Sequence, residues 1–160
     1  MLIYRPKWLF FYPGVVLILL GLIGYGVALP GTKIGGIEFD ANTLLCASLA
    51  LLLGYQSILF AIFTKTFATG EGLLPVDPRL NRFLENINLE KGLTIGLGAF
   101  GLGIGLLLAS LNQWRRHDFG HLDYAQTMRW VIPGVTLTAL GFQTVFSSFF
   151  VSILRMRRPK

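Results

Sequence analysis

Apolar positions gather into four windows along the chain, residues 8–29, 44–65, 93–112 and 130–154, while polar residues collect at the two ends and in the three connectors. Each window reaches the length of about 20 residues that a helix needs to cross a hydrocarbon core roughly 30 Å thick. The pattern predicts an all-α membrane protein with four transmembrane helices forming a single integral membrane domain over residues 1–160. The first window follows Arg5 and Lys7 as a secretory signal would, but it is too long for such an apolar segment and runs on to Leu29 before Pro30-Gly31. It therefore reads as an uncleaved span.

Composition sharpens this picture. Of 160 residues, 53% are hydrophobic and 14% charged, where soluble domains carry about 25% charged residues, and the mean hydropathy is +0.62. The residues outside the windows are divided among two ends and three connectors, too few in any one place for a soluble domain of the usual ~50 residues or more. A soluble enzyme, a secreted disulfide scaffold and a nucleic-acid-binding domain are thereby excluded, and the lone Cys46 has no internal partner for a disulfide. The excess of 14 Lys and Arg over 8 Asp and Glu would point a soluble protein toward nucleic acid; here it reports topology, and no nucleic acid partner is expected.

Basic residues stay in cytoplasmic connectors and are depleted from translocated ones. Arg5 and Lys7 precede the first window, Lys65, Arg79, Arg82 and Lys91 lie in or beside the middle connector, and Arg155, Arg157, Arg158 and Lys160 end the chain; Lys33, Arg115, Arg116 and Arg129 belong to the other two connectors. This bias predicts both termini and the middle connector in the cytoplasm. Trp8, Tyr12, Trp114 and Trp130 sit near span ends, at headgroup level.

The two halves resemble one another. Gly36-Ile-Glu-Phe-Asp-Ala-Asn-Thr43 is similar to Gly120-His-Leu-Asp-Tyr-Ala-Gln-Thr127, and Leu53-Gly-Tyr-Gln56 to Leu140-Gly-Phe-Gln143. Each half is then a helical hairpin, and because both begin on the cytoplasmic side the repeat is parallel, with a pseudo-twofold axis along the membrane normal. In the middle connector, Asp77-Pro78 reads as an N-cap followed by proline at the first helical position. Leu80, Phe83, Leu84 and Ile87 recur at helical spacing opposite Arg79, Arg82, Glu85 and Asn86, predicting a cytoplasmic interfacial amphipathic helix between spans two and three. Asn88 with Glu90-Lys91 caps the third span, and the glycine-rich first connector reads as a small turn or hairpin.

Candidate chemistry is sparse. Gly96-Leu-Gly98-Ala-Phe-Gly101 fits G-x-G-x-x-G, but that fingerprint binds dinucleotides only between a strand and a helix of a βαβ unit. Inside an apolar span the same glycines, with the pairs Gly92/Gly96 and Gly101/Gly105, read as points of close helix approach. Gln56 and Gln143 lie at matching depths in spans two and four and are expected to bond each other, with contact to a polar headgroup as the alternative; Ser147, Ser148 and Ser152 are expected to bond their own helix. His117 and His121 are spaced as metal ligands on a helix, but Gly120 between them favours a solvated turn, so no metal or cofactor is expected. No nucleophile-and-base pair with a reasonable orienting partner lies on one side of the membrane, so no catalytic set is expected. The basic residues Arg5, Lys7, Arg79, Arg82, Arg155, Arg157 and Arg158 would form a ring at one membrane face, able to hold anionic headgroups at about 1 kcal/mol per cation.

Four stretches carry a family resemblance: Arg5-Pro-Lys-Trp-Leu-Phe-Phe-Tyr-Pro-Gly14; the run 34–65 containing Leu53-Gly-Tyr-Gln56; Glu71-Gly-Leu-Leu-Pro-Val-Asp-Pro-Arg79; and the last span with Gly141-Phe-Gln143 and Ser147-Ser-Phe-Phe150. In this order they resemble the C-terminal membrane region of bacterial family-2 glycosyltransferases, of the kind similar to dolichyl- or undecaprenyl-phosphate sugar synthases. In that family a soluble domain with an Asp-x-Asp-type metal site performs the transfer, and this chain contains no Asp-x-Asp. What the resemblance implies is membrane anchoring and presentation of a polyprenyl-phosphate to a catalytic glycosyltransferase domain, as a fragment or a separately encoded subunit, non-catalytic on its own. An accessory subunit of a larger membrane complex and a lipid-linked-sugar translocator are the alternative readings.

Overall fold

A computed structural model describes residues 10–31, 33–34, 37–38, 40–71, 89–116 and 124–156. The all-α architecture anticipated from the apolar windows is the one observed, with helices α1 (Tyr12–Ala28), α2 (Ala41–Gly70), α3 (Leu89–Arg116) and α4 (Tyr124–Met156). Three of them, α2, α3 and α4, are long and apolar enough to cross a membrane. The α1 helix is 17 residues long, at the short end of the spanning range, and a π-type turn at residues 10–11 precedes it. The last three helices overrun the sequence windows at both ends because a window marks hydrocarbon depth, whereas a helix continues for as long as its backbone bonds are made internally. Polar ends such as Gln113 to Arg116 extend α3 beyond its window in this way.

The turn after α1 is set by Pro30, which has no N–H to continue the helix, and by Gly31 at φ 68. There Gly31 N–H bonds the Ala28 carbonyl at 3.1 Å. A two-residue antiparallel ladder pairs Lys33–Ile34 with Ile37–Glu38. The α2 helix then starts at Asp40, whose carbonyl accepts from the Thr43 and Leu44 amides. The interfacial helix and cap expected within residues 72–88 lie outside the described residues.

Packing follows the glycines. A Cβ at Gly54 would lie 2.7 Å from the Gly14 carbonyl oxygen, and one at Gly21 would meet Leu51 and the Ala47 carbonyl. Contact positions on α2 fall as those on α1 rise, so the two helices are antiparallel with backbones touching. The second hairpin repeats this: Gly96 opposes Gly141 and Val145, and Gly103 opposes Gly134 and Thr138. One constant offset carries Gly14, Ile18 and Gly21 onto Gly96, Phe100 and Gly103; a second carries Ala47, Leu51, Gly54 and Ile58 onto Gly134, Thr138, Gly141 and Val145. The two hairpins thus share one contact register. The connector similarity of Gly36–Thr43 to Gly120–Thr127 carries a different offset and reaches only the first turn of α2 and of α4.

The hairpins join through α2 and α4. Along that seam Gln56 meets Gln143 and Phe63 meets Phe150, with ring centroids 4.8 Å apart. Both are pairs of equivalent residues under the second offset, the self-complementary signature of a twofold interface. Because the order is the same on both helices, α2 and α4 run parallel and in register. The start of α1, the end of α2, the start of α3 and the end of α4 consequently lie at one end of the bundle, called here the open-chain end; the connectors within each hairpin lie at the other.

Candidate functional site

Two polar layers hold the seam together. Near the hairpin-connector end, Tyr25 Oη of α1 gives its one proton to Thr136 Oγ1 of α4 at 3.0 Å and lies 2.6 Å from Ser48 Oγ of α2. Thr136 in turn donates to the Ile132 carbonyl at 2.7 Å, and Ser48 reaches the Leu44 carbonyl at 2.8 Å. Three helices are therefore tied through one phenol. A cluster of buried apolar residues, Ala28, Ala41, Leu44 and Ile132, packs beside these bonds with Tyr25 and Met128 against it. Arg129 lies over the turn after α1, where a Cβ on Gly31 would come within 2.8 Å of its Cζ. Its Nε is buried without a hydrogen-bond partner, as is Asp40 Oδ1.

The second layer lies about two turns further along. Thr144 Oγ1 gives its proton to the Leu140 carbonyl at 2.7 Å, so in the 2.6 Å contact with Tyr55 it is Tyr55 Oη that donates. Beside it Gln143 Nε2 donates to Gln56 Oε1 at 2.9 Å, while Gln143 Oε1 is buried without a partner. Neither tyrosine nor threonine layer stood out in the sequence reading. The available signal was the spacing of Ser48 with Tyr55 on α2 and of Thr136 with Thr144 on α4, one pair per two turns on a single face. Ser147 and Ser148 donate to carbonyls four residues back, to Gln143 and Thr144.

The glycines divide in a way that the sequence spacing misassigns. Gly92 and Gly96 are buried, and Gly96 takes α4 against its backbone. By contrast a Cβ on Gly101 or Gly105 would meet nothing within 4 Å, and the same holds for Gly98. The packing glycine of that half of α3 is Gly103. At 3.6 residues per turn, position 103 returns to the face of position 96, whereas 105 comes out nearly opposite it. A four-residue glycine spacing marks a smooth face without saying which neighbour occupies it. The G-x-G-x-x-G match therefore spans both faces of one helix, where no phosphate cradle exists.

The basic ring is represented among the described residues by Arg155 alone, placed in the last turn of α4. Arg5, Lys7, Arg79, Arg82, Arg157 and Arg158 lie outside them, as do His117 and His121. The helix ends next to the six basic residues sit at the open-chain end of the bundle, and those next to His117 and His121 at the other. Among the described residues no cluster of three or more His, Cys, Asp or Glu could hold a metal. Among the described residues the hydrogen bonds tie helix to helix and bring no nucleophile and base together.

Comparison with known proteins agrees with such a framework. The low-salt glycan biosynthesis hexosyltransferase Agl6 of Haloferax volcanii is 33% identical over 156 residues, which cover 96% of this chain and 36% of that protein. The chain thus spans about a third of the length of this curated relative. No solved structure matches it. A family model for the glycosyltransferase family 2 C-terminal transmembrane region matches residues 62–155, from the second half of α2 to the end of α4. With more than half of its length in that match, and with helices long and apolar enough to span, this membrane protein belongs to the family of glycosyltransferase family 2 C-terminal transmembrane regions.

Proposed function

We propose that this chain anchors a family-2 glycosyltransferase in the plasma membrane of a prokaryote and presents a polyprenyl-phosphate acceptor to its catalytic domain, contributing no catalytic residue itself. The observation that carries this reading is the parallel register of the two hairpins. It gathers four helix ends at one face; Arg155 belongs to the last turn of one of them, and the segments bearing Arg5, Lys7, Arg79, Arg82, Arg157 and Arg158 adjoin these ends in the chain. A lipid phosphate at that face would meet several cations at once, each contributing about 1 kcal/mol. The positive-inside rule makes the open-chain end cytoplasmic. A hexosyltransferase as relative, of which the chain matches 36%, supports a catalytic domain as partner, in the same polypeptide or a separate one.

The test is Arg79→Ala with Arg82→Ala in a lipid-competition assay, with the protein in nanodiscs and a polyprenyl phosphate as competitor. Loss of about 2 kcal/mol of binding, roughly 30-fold, is expected from two cations. Unchanged binding removes the phosphate role. Co-purification with a large membrane complex lacking any sugar transferase would replace it by the accessory-subunit reading.

A further inference from the structure

The shared register of the hairpins exposes one place where they differ. Hairpin one carries its core at the connector end, with Ala28, Ala41 and Leu44 buried beneath Ile132 and Tyr25 filling the level below. The same offsets map Tyr25, Ala28, Ala41 and Leu44 onto Leu107, Ser110, Met128 and Val131. These four line a cleft of about 370 Å³ between the ends of α3 and α4, together with Leu111, Trp114 and Thr127. What protein side chains fill in one hairpin is therefore an open groove in the other.

The substitutions between the two copies change its chemistry. Ala28 is replaced by Ser110, which puts a hydroxyl among the apolar side chains of α3, and Asp40 by Thr127, which replaces a carboxylate with a hydroxyl. On α3, Leu107, Ser110, Leu111 and Trp114 form one face, and the exposed Arg115 follows Trp114 one turn beyond Leu111, at the edge of that face. Arg116 is also exposed but points around the helix away from it. Trp114 belongs at headgroup level. Apolar floor, hydroxyl, interfacial indole and guanidinium thus follow one another in the order in which a membrane lipid presents its chain, glycerol oxygens and phosphate.

We propose that this cleft is a binding site for one anionic glycerophospholipid. A hydrocarbon chain lies against Leu107, Leu111, Met128 and Val131; Ser110 donates to a glycerol ester or ether oxygen; Arg115 holds the phosphate. The Ser110 hydroxyl selects a glycerolipid over a polyprenyl phosphate, which has no oxygen at that depth. The site lies at the opposite end of the bundle from the proposed acceptor face, so its loss leaves that function untouched.

The chain in nanodiscs, with Trp8→Phe and Trp130→Phe to leave Trp114 as its single tryptophan, tests the site by fluorescence quenching with brominated phosphatidylglycerol or brominated phosphatidylcholine. Phosphatidylglycerol is expected to quench at a several-fold lower mole fraction, Arg115→Gln to abolish that preference, and Arg116→Gln to leave it intact. Equal quenching by the two lipids overturns the proposal. So does loss of the preference in Arg116→Gln, which would mark a diffuse surface-charge effect, or displacement of brominated phosphatidylglycerol by an equal amount of polyprenyl phosphate.

Discussion

Hairpin one and hairpin two keep the same backbone geometry and fill it differently. Where helices cross, Gly14 against Gly54 becomes Gly96 against Gly141, and Gly21 against Ala47 becomes Gly103 against Gly134. Toward the connectors the likeness ends, since Tyr25 gives way to Leu107 and Ala28 to Ser110. The difference has a physical origin. Where two backbones touch there is little room for substitution, because a carbon added at Gly14, Gly21, Gly54, Gly103 or Gly141 meets a facing carbonyl at under 3 Å. Only Gly134, which leaves 3.3 Å, has alanine as its counterpart; a side-chain layer accommodates changes of volume and polarity piece by piece. In a membrane, where apolar burial between helices gives little driving force, those touching backbones supply much of the association.

The largest effect is therefore expected from Gly103→Leu, with Gly21→Leu as its counterpart in hairpin one. Each should destabilise by about 3 kcal/mol or more, since an entire side chain must displace the facing helix. Gly101→Leu, on the open face of the same helix, should stay within about 0.5 kcal/mol of the parent. Reversible unfolding in bicelles measures all three. Similar losses at Gly21 and Gly103 sharpen the equivalence of the hairpins, while a loss at Gly101 matching that at Gly103 would break it.

Tyr25→Phe ranks next. It deletes the hydroxyl that joins α1 to both α2 and α4 and leaves Ser48 and Thr136 with their bonds to their own helix. A loss of about 1 to 2 kcal/mol is expected in the same unfolding measurement. The corresponding change in hairpin two, Leu107→Phe, removes no hydrogen bond and should cost less. If the two changes cost the same, the phenol contributes only its ring.

Much of this architecture is legible from residues alone. Helix number and order follow from the apolar windows, because lipid admits no other backbone solution. The repeated Leu-Gly-x-Gln marks the seam: its glycines Gly54 and Gly141 lie inside each hairpin and its glutamines Gln56 and Gln143 between them. Two things stay hidden. The face of α3 that packs is chosen by the glycines of α4, so Gly101 and Gly105 could not be separated from Gly96 and Gly103 by spacing within α3. The Tyr25 layer escapes because its partners Ser48 and Thr136 are distant in sequence and individually ordinary for a membrane helix. The cleft is hidden for the same reason, being visible only once one hairpin is laid over the other.

The smallest effect tests the twofold seam itself. Gln56 and Gln143 are equivalent positions that bond one another at 2.9 Å, at a depth where an unpaired amide has no water to turn to. Gln56→Leu strands the Gln143 amide, whose Oε1 already lacks a partner, and Gln143→Leu strands that of Gln56. Either single change should destabilise modestly, while the double change to leucine removes both polar groups and should recover much of the loss. A double-mutant cycle in bicelles is expected to give a coupling of about 0.6 kcal/mol, and no more than about 1.7. Strict additivity would mean that the amides do not bond in the bilayer, and the parallel register of α2 and α4 would then rest on Phe63 and Phe150 and on the Tyr55–Thr144 bond.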